Sequence, residues 1–126
     1  MFKISVDTPE TVRAAVQYLG GGETGLVMSC IEDEKRTGAV AFNIDGNFGY
    51  IETVKAEEEE MLPVLVSAAM NFLDLHGIHE AVTDDLSHKD VYLRLGFVAQ
   101  EAGGKYPFHL SLEGYFEAGC GSKCQR

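Results

Sequence analysis

Apolar residues recur along the chain with two different periods, and these periods predict the order of helices and strands. From Leu62 to His76 they recur at three- and four-residue spacing, which predicts a helix with one wide apolar face. Residues 26–31, 39–44 and 48–54 are short apolar runs separated by polar residues, which predicts three strands. Residues 45–47 favour a tight hairpin, because the central glycine accepts positive φ. We therefore expect an antiparallel meander followed by a long helix.

A shorter helical pattern precedes the meander. Phe2–Ser5 is apolar enough for a first strand, and Thr8 is a candidate N-cap for a helix after it. Val12 and Val16 fall on one face of that helix. The glycines of residues 20–22 are expected to end it.

The second half of the chain has the pattern of a βαβ unit. Residues 78–83 form a short buried strand after the long helix, so this strand should run parallel to residues 48–54. A further helix is predicted over Ser87–Leu95, with its first residue as the N-cap. The last two predicted strands are Phe97–Glu101 and Tyr106–Leu112.

The length of 126 residues fits one domain with its own core. Periodicity fades after Gly114, so residues 1–116 are expected to form the domain and residues 117–126 a flexible C-terminal tail. No apolar run reaches the roughly 18 residues of a membrane span. The N-terminus also lacks the apolar stretch of a signal peptide. We therefore expect a cytoplasmic protein that does not enter membranes.

The net charge of −10 and the pI of about 4.7 narrow the class of partner. Such a surface repels a phosphate backbone, so nucleic acid is not an expected partner. A small cationic or amine substrate, or a basic protein segment, fits the charge better. The alternative is that the acidity serves only solubility.

The three cysteines, Cys30, Cys120 and Cys124, do not suggest a disulfide framework. Cys30 lies in an apolar run and is expected in the core. Cys120 and Cys124 could hold part of a metal site or form a redox pair, but two ligands are half of a zinc site. We expect no metal site and interpret residues 120–124 as part of the flexible tail.

The run Ser87-His88-Lys89-Asp90 contains the residue types of a catalytic triad. Neighbours in sequence cannot face one another as a triad requires. We interpret the run as the start of a helix.

Residues 91–97 read Val-Tyr-Leu-Arg-Leu-Gly-Phe, with a tyrosine four residues before Gly-Phe. This run and the order of elements resemble the GNAT N-acetyltransferase superfamily from Met1 to about Phe116. The resemblance implies an α/β fold with a mixed α+β sheet, the GNAT-like acyl-CoA N-acyltransferase fold. The second helix of the family should be lacking, because residues 20–24 leave no room for it.

The resemblance also implies an activity. Members transfer an acyl group directly from acetyl-CoA or another acyl-CoA to a primary amine. Tyr92 matches the residue that often protonates the departing thiolate, and Glu52 matches the carboxylate that helps to deprotonate the amine. The structural alternatives are a packed ring for Tyr92 and a solvent-facing strand residue for Glu52. Thr53, Val54, Lys55 and Leu62 match cofactor-binding positions.

One segment departs from the family pattern. Members carry a Gln/Arg-x-x-Gly-x-Gly/Ala loop that holds the pyrophosphate of coenzyme A, whereas this chain has four glutamates, Glu57–Glu60. Side chains in place of glycines crowd a phosphate, and carboxylates repel it. Weak or absent coenzyme A binding is therefore expected.

Three hypotheses follow. The first is a GNAT-type N-acetyltransferase, and the second is a non-catalytic GNAT-like module that has lost its cofactor site and binds a ligand or a protein. The third is a metal or redox sensor that uses Cys120 and Cys124.

Overall fold

Seven strands form one mixed sheet, and three α-helices pack on it, within the described residues. The computed structural model describes residues 2–21, 25–99 and 106–115. The strands are β1 Phe2–Val6, β2 Leu26–Glu32, β3 Lys35–Asp45, β4 Phe48–Ala56, β5 Glu80–Thr83, β6 Val98–Ala99 and β7 Phe108–Ser111. The helices are α1 Val12–Tyr18, α2 Met61–Leu75 and α3 Lys89–Leu95, preceded by a 3₁₀ turn at Leu86–His88. In these ranges no helix is long and apolar enough to span a membrane.

The spatial order of the strands is β1-β2-β3-β4-β5-β7-β6, with β4 at the centre. β4 and β5 are parallel, as the βαβ pattern predicts, and the other neighbouring pairs are antiparallel. The prediction of a mixed α/β sheet is therefore confirmed. The described residues between α1 and β2 contain no second helix, which agrees with the sequence.

The two faces of the sheet are covered unequally. α2 and α3 pack on one face, where the larger core contains Phe42, Ile51, Val54, Leu65, Leu73, Tyr92 and Phe97. α1 packs on the other face, mainly over β2 and β3, in a small cluster of Ala15, Val27, Ala39 and Ala41. We call these the α2 face and the α1 face.

The start of α1 differs from the prediction. Thr8 does not cap the helix through its side chain; its carbonyl instead accepts the N–H groups of Thr11 (3.0 Å) and Val12 (2.9 Å) in a preceding turn. The Thr11 hydroxyl donates to the Asp7 carboxylate at 2.7 Å. Asp7 also accepts from Ser29 and from Arg36, so a nearly buried ion pair joins the entry of α1 to the sheet.

Other boundaries also differ. β5 begins at Glu80 because the N–H of Ile78 bonds to the carbonyl of Leu73 at 2.9 Å and closes the end of α2. The predicted turn over residues 32–36 contains only Asp33 and Glu34, both with positive φ, as a two-residue hairpin requires.

The C-terminal part of the chain is only partly described. β7 is shorter than its predicted strand, and β6 begins one residue later than predicted, at Val98. Residues 100–105, which join them, and the predicted tail of residues 117–126 lie outside the described residues.

Gly49 provides a test of how α2 packs on β4. A Cβ at this position would lie 2.2 Å from Cδ1 of Leu73, which is fully buried. Gly49→Ala should therefore lower the free energy of unfolding by about 1–3 kcal/mol through overpacking. Urea unfolding followed by far-UV circular dichroism measures the loss.

The Leu73→Ala variant completes a double-mutant cycle. Leu73→Ala alone should cost about 2–5 kcal/mol, and the double variant should cost less than the sum by at least about 0.5 kcal/mol. Gly49→Ala combined with Val27→Ala, on the opposite face, should be additive. Additive costs for Gly49 and Leu73 would show that the two residues do not limit each other.

Candidate active site

The two central strands separate part of the way along their length. β4 and β5 pair at Gly49–Ala81, Tyr50–Val82 and Ile51–Thr83. β5 ends there, but β4 continues to Ala56. The last part of β4 therefore has β3 on one side and no β5 partner on the other, which opens a cleft in the middle of the sheet.

The hydroxyl of Thr83 marks the end of the pairing. It donates to the carbonyl of Ile51 at 2.7 Å and accepts the N–H of Asp85 at 3.1 Å. Thr83 is fully buried, so this hydroxyl satisfies two backbone groups that water cannot reach. The same two bonds direct the chain after β5 away from β4.

A β-bulge lies in β4 next to the cleft. Ala41 of β3 pairs with Thr53 and Phe42 pairs with Ile51, which leaves Glu52 as the extra residue. The side-chain amide of Asn43 donates to the Glu52 carboxylate. Bulges re-aim side chains and are common beside active sites. The bulge thus brings Glu52, the candidate base, to the cleft.

The candidate cofactor-binding residues lie around the cleft. Thr53, Val54 and Lys55 are on the unpaired part of β4, with Val54 in the core. The Lys55 side chain extends over the α1 face, where its ammonium donates to the carbonyl of Tyr18 at 2.9 Å. Leu62 is in the first turn of α2 and lines a cavity of about 420 Å³ between α2 and α3. Of these four residues only Leu62 lines that cavity, whereas Val54 is in the core and the Lys55 ammonium is directed away from α2.

A buried carboxylate lies directly after β5. The side chain of Asp85 is 6% exposed, and it is bonded to three other side chains. The Ser87 hydroxyl donates to it at 2.6 Å, the Tyr92 hydroxyl at 3.0 Å, and Nδ1 of His88 lies 2.8 Å away. Ser87 is thus bonded to Asp85 and does not cap α3, which corrects the prediction of an N-cap at this residue.

Tyr92, the candidate acid, is fully buried, and its hydroxyl donates to Asp85. Burial and the negative charge of Asp85 raise the pKa of Tyr92 far above its ordinary value of 10.0. The ring also packs edge-on against Phe97, with the ring centres 5.3 Å apart. Tyr92 therefore has both packing and hydrogen-bonding roles.

The start of α2 does not have the geometry of a phosphate loop. The N–H groups of Met61 and Leu62 donate to the carbonyls of Glu58 and Glu59 at 3.0 Å each. Glu57–Glu60 are all exposed, and Glu60 has helical φ and ψ. These two backbone donors of the first turn are thus already bonded within the chain, and carboxylates surround them. This segment does not fit the pyrophosphate of coenzyme A.

The cavity between α2 and α3 is lined by side chains of both charges. Its lining includes Lys89 and Arg94 together with Glu59 and Asp90, and His88 also lines it. An anion at this cavity would therefore be attracted to Lys89 and Arg94 on α3 and repelled by Glu59 and Asp90.

The α1 face of the cleft has different chemistry. The Tyr50 hydroxyl donates to Asp84 at 2.7 Å, and the ring of Tyr50 lies 5.1 Å from that of Tyr106. A cavity of about 670 Å³ adjoins them; its lining includes Asp45, Phe48, Glu80, Val82, Tyr106 and His109. Carboxylates beside apolar and aromatic surface suit an organic cation.

No family model matches the sequence, and no curated protein matches it. Solved structures do match the fold. The chain has the GNAT fold. A GNAT-family acetyltransferase from Staphylococcus aureus matches with a TM-score of 0.69, 9% identity and coverage of 89% of this chain and 99% of that one.

Two further structures show the same likeness. The ribosomal-protein-S18-alanine N-acetyltransferase of Escherichia coli has a TM-score of 0.65 and 13% identity, over 89% of this chain and 94% of that one. The PaiA N-acetyltransferase of Thermoplasma acidophilum, in complex with coenzyme A, has a TM-score of 0.57 and 14% identity, over 68% and 59%. The GNAT fold that the sequence predicts is therefore confirmed.

Sequence analysis missed Asp84 and Asp85. Two acidic residues directly after a buried strand are a signal that could have indicated them. Within residues 2–21, 25–99 and 106–115, no group of three or more histidine, cysteine or acidic side chains could hold a metal ion. Cys120 and Cys124 lie outside these ranges.

Replacing Tyr92 by phenylalanine tests the bond to the buried carboxylate. Tyr92→Phe should lower the free energy of unfolding by about 1.5–3 kcal/mol at pH 7, because a bond to a charged group is lost. Urea unfolding measures this change. Tyr115→Phe is the control: its hydroxyl donates to the neutral carbonyl of Leu95 at 2.8 Å, so the loss should be smaller. An unchanged stability in Tyr92→Phe would contradict the bond.

The same variant has a predicted pH dependence. Because the pKa of Tyr92 is raised in the folded state, its contribution to stability is full below about pH 10 and falls as the pH rises above that value. Stability of the wild type should fall more steeply above pH 10 than that of Tyr92→Phe, by up to about 1.4 kcal/mol per pH unit. Parallel slopes in urea unfolding from pH 8 to 11 would rule this out.

Proposed function

We propose that the chain is an N-acyltransferase that transfers an acyl group directly from acetyl-CoA or another acyl-CoA to a primary amine. One observation carries the proposal. The β4–β5 pairing stops at Ile51–Thr83, and each face of the sheet carries a cavity, one lined in part by Lys89 and Arg94 and the other in part by Asp45 and Glu80. Two cavities on opposite faces beside an interrupted strand pair suit the two substrates of an acyl transfer.

The acyl donor is proposed to lie on the α2 face. The unpaired part of β4 at Thr53, Val54 and Lys55 offers backbone groups to an extended arm. The phosphates are proposed to lie against Lys89 and Arg94, because both line the cavity next to Leu62. Glu57–Glu60 weaken this binding, so affinity is expected to be low.

The acyl acceptor is proposed to approach from the α1 face. Glu52 and Asp84 lie at this side of the cleft, and Tyr50 is bonded to Asp84. Carboxylates favour the ammonium form of an amine at the entrance and can accept its proton. A small cationic amine is therefore the proposed substrate, and nucleic acid is not a proposed partner.

One observation favours a second candidate function. The bonded N–H groups at the start of α2 and the exposed glutamates beside them suit a non-catalytic module that binds a ligand or a basic protein segment. The two candidates differ in one respect that can be measured, which is whether acetyl-CoA binds.

Removing the negative charge before α2 should strengthen donor binding. Titration of acetyl-CoA by calorimetry should give a weak Kd for the wild type, roughly 0.1–1 mM. Replacing all four residues of Glu57–Glu60 by glutamine should tighten binding roughly tenfold, because each exposed charge contributes about 0.2–1 kcal/mol.

Two controls accompany this titration. Acetyl-pantetheine lacks the nucleotide phosphates, so the same replacement should not change its affinity. Glu10→Gln/Glu113→Gln removes exposed charge elsewhere and should have little effect on acetyl-CoA. Failure of acetyl-CoA to bind either the wild type or the glutamine variant would reject the transferase and leave the binding module.

A further inference from the structure

His88 differs from the other carboxylate-bonded histidines of the described chain. His79 and His109 also bond to carboxylates, but these carboxylates are 27% and 43% exposed. The carboxylate that faces His88 belongs to Asp85 and is 6% exposed. Tyr92 also donates to that carboxylate, which holds it in one orientation. The bond to this buried carboxylate thus fixes the orientation of the His88 ring.

This orientation assigns different roles to the two ring nitrogens. A carboxylate only accepts hydrogen bonds, so Nδ1 of His88 carries a hydrogen and donates it to Asp85. In the neutral ring, Nε2 then has a free lone pair. His88 lines the cavity between α2 and α3, and a quarter of its side chain is exposed. Because Nδ1 faces the interior, Nε2 lies on the side of the ring that is left to the cavity.

Tyr92 is less suited than His88 to release a proton. It has no exposed surface, and its hydroxyl hydrogen is directed to Asp85. His88 is three residues from Asp85 and five from Thr83, where the cleft begins. It is therefore the proton-transfer group of this cluster that an acyl donor in the cavity can reach.

We propose that His88 carries the proton during acyl transfer, and that Asp85 and Tyr92 are positioning residues that fix its ring. This inference rests on the proposed transferase function. It assigns to one imidazole the protonation of the departing sulfur, which the resemblance assigns to Tyr92, and the removal of the proton that the nitrogen loses after its attack; Glu52 keeps the earlier deprotonation of the ammonium form.

The step balances as follows. The amine nitrogen attacks the carbonyl carbon of the thioester, a C–N bond forms and the C–S bond breaks. Nε2 of His88 accepts the proton that the nitrogen loses and delivers it to the departing sulfur. The products are an amide and a thiol, and His88 is neutral before and after the reaction.

Several ionisable groups lie near His88. On the protein side, His88 bonds to Asp85, and Asp85 in turn accepts from Tyr92. Glu59 from the start of α2, and Lys89, Asp90 and Arg94 from α3, line the same cavity. His88→Gln keeps all of these groups unchanged and therefore reports on the imidazole itself.

The experiment compares His88→Gln with His79→Gln, a matched change at a histidine bonded to an exposed carboxylate. The first probe is p-nitrophenyl acetate, an acyl donor without phosphates, and release of p-nitrophenol is measured at pH 7. His88→Gln should slow release at least tenfold. His79→Gln should leave the rate unchanged. Far-UV circular dichroism checks that each variant is folded.

A second measurement does not depend on turnover. Nitrogen-15 NMR of the His88 ring should show hydrogen on Nδ1 in the neutral wild type. Asp85→Asn should shift hydrogen towards Nε2 and slow p-nitrophenol release, and Tyr92→Phe should produce a smaller change in both. A purely structural role for Asp85 would leave the tautomer as it is.

The outcomes separate this inference from the proposed function. Equal rates in His88→Gln and wild type, a wild-type rate no higher than that of free imidazole, or hydrogen on Nε2 in the wild type would each overturn the role of His88. Thiol release from acetyl-CoA is measured in parallel with n-butylamine as acceptor. Loss of p-nitrophenol release in His88→Gln, without any thiol release in the wild type, supports His88 and rejects coenzyme A as the donor.

Discussion

The arrangement of the cleft depends on the hydroxyl of Thr83. This hydroxyl donates to the carbonyl of Ile51, the last residue of β4 that pairs with β5. It also accepts the N–H of Asp85, which fixes the backbone where the chain leaves β5. The cleft, the buried carboxylate of Asp85 and the start of α3 thus all depend on one fully buried threonine whose hydroxyl bonds to the backbone on both sides.

Negative charge has different effects at the buried Asp85 and at the exposed residues Glu57–Glu60. Asp85 is buried, and three side chains surround its carboxylate, so its charge fixes the positions of those side chains. Glu57–Glu60 are exposed and cluster where the backbone has few donors left. The first kind of charge gives rigidity, because a buried carboxylate that loses a partner costs free energy. The second kind acts at longer range, on the approach of other charged molecules, and is screened by salt.

Much of the fold could be predicted from the sequence, because the spacing of apolar residues determines which face of each helix or strand is buried. The order of elements, the parallel pairing of β4 with β5 and the lack of a second helix all follow from that pattern. The predicted details that were wrong depend on tertiary contacts. Thr8 has the residue type of an N-cap, yet the bonds among Asp7, Ser29 and Arg36 determine how the chain enters α1.

The candidate site could be predicted only in part. Glu52 is the bulge residue of β4 directly after the last residue that pairs with β5, and Tyr92 is buried against Asp85. The sequence predicts only a helix start over residues 87–90, because neighbours cannot face one another as a triad requires. The partner of His88 is Asp85, three residues earlier, which a 3₁₀ turn brings within 2.8 Å. Local spacing cannot show this, since the turn depends on how Thr83 ends the strand.

The brevity of α1 has a consequence for access to the α1 face. α1 packs over β2 and β3, and no described helix lies over the 670 Å³ cavity at Phe48, Val82 and His109. Within the described residues, a molecule at this cavity would therefore be held by strands and turns and not covered by a helix. Such a surface would suit a group at the end of a peptide as well as a free metabolite.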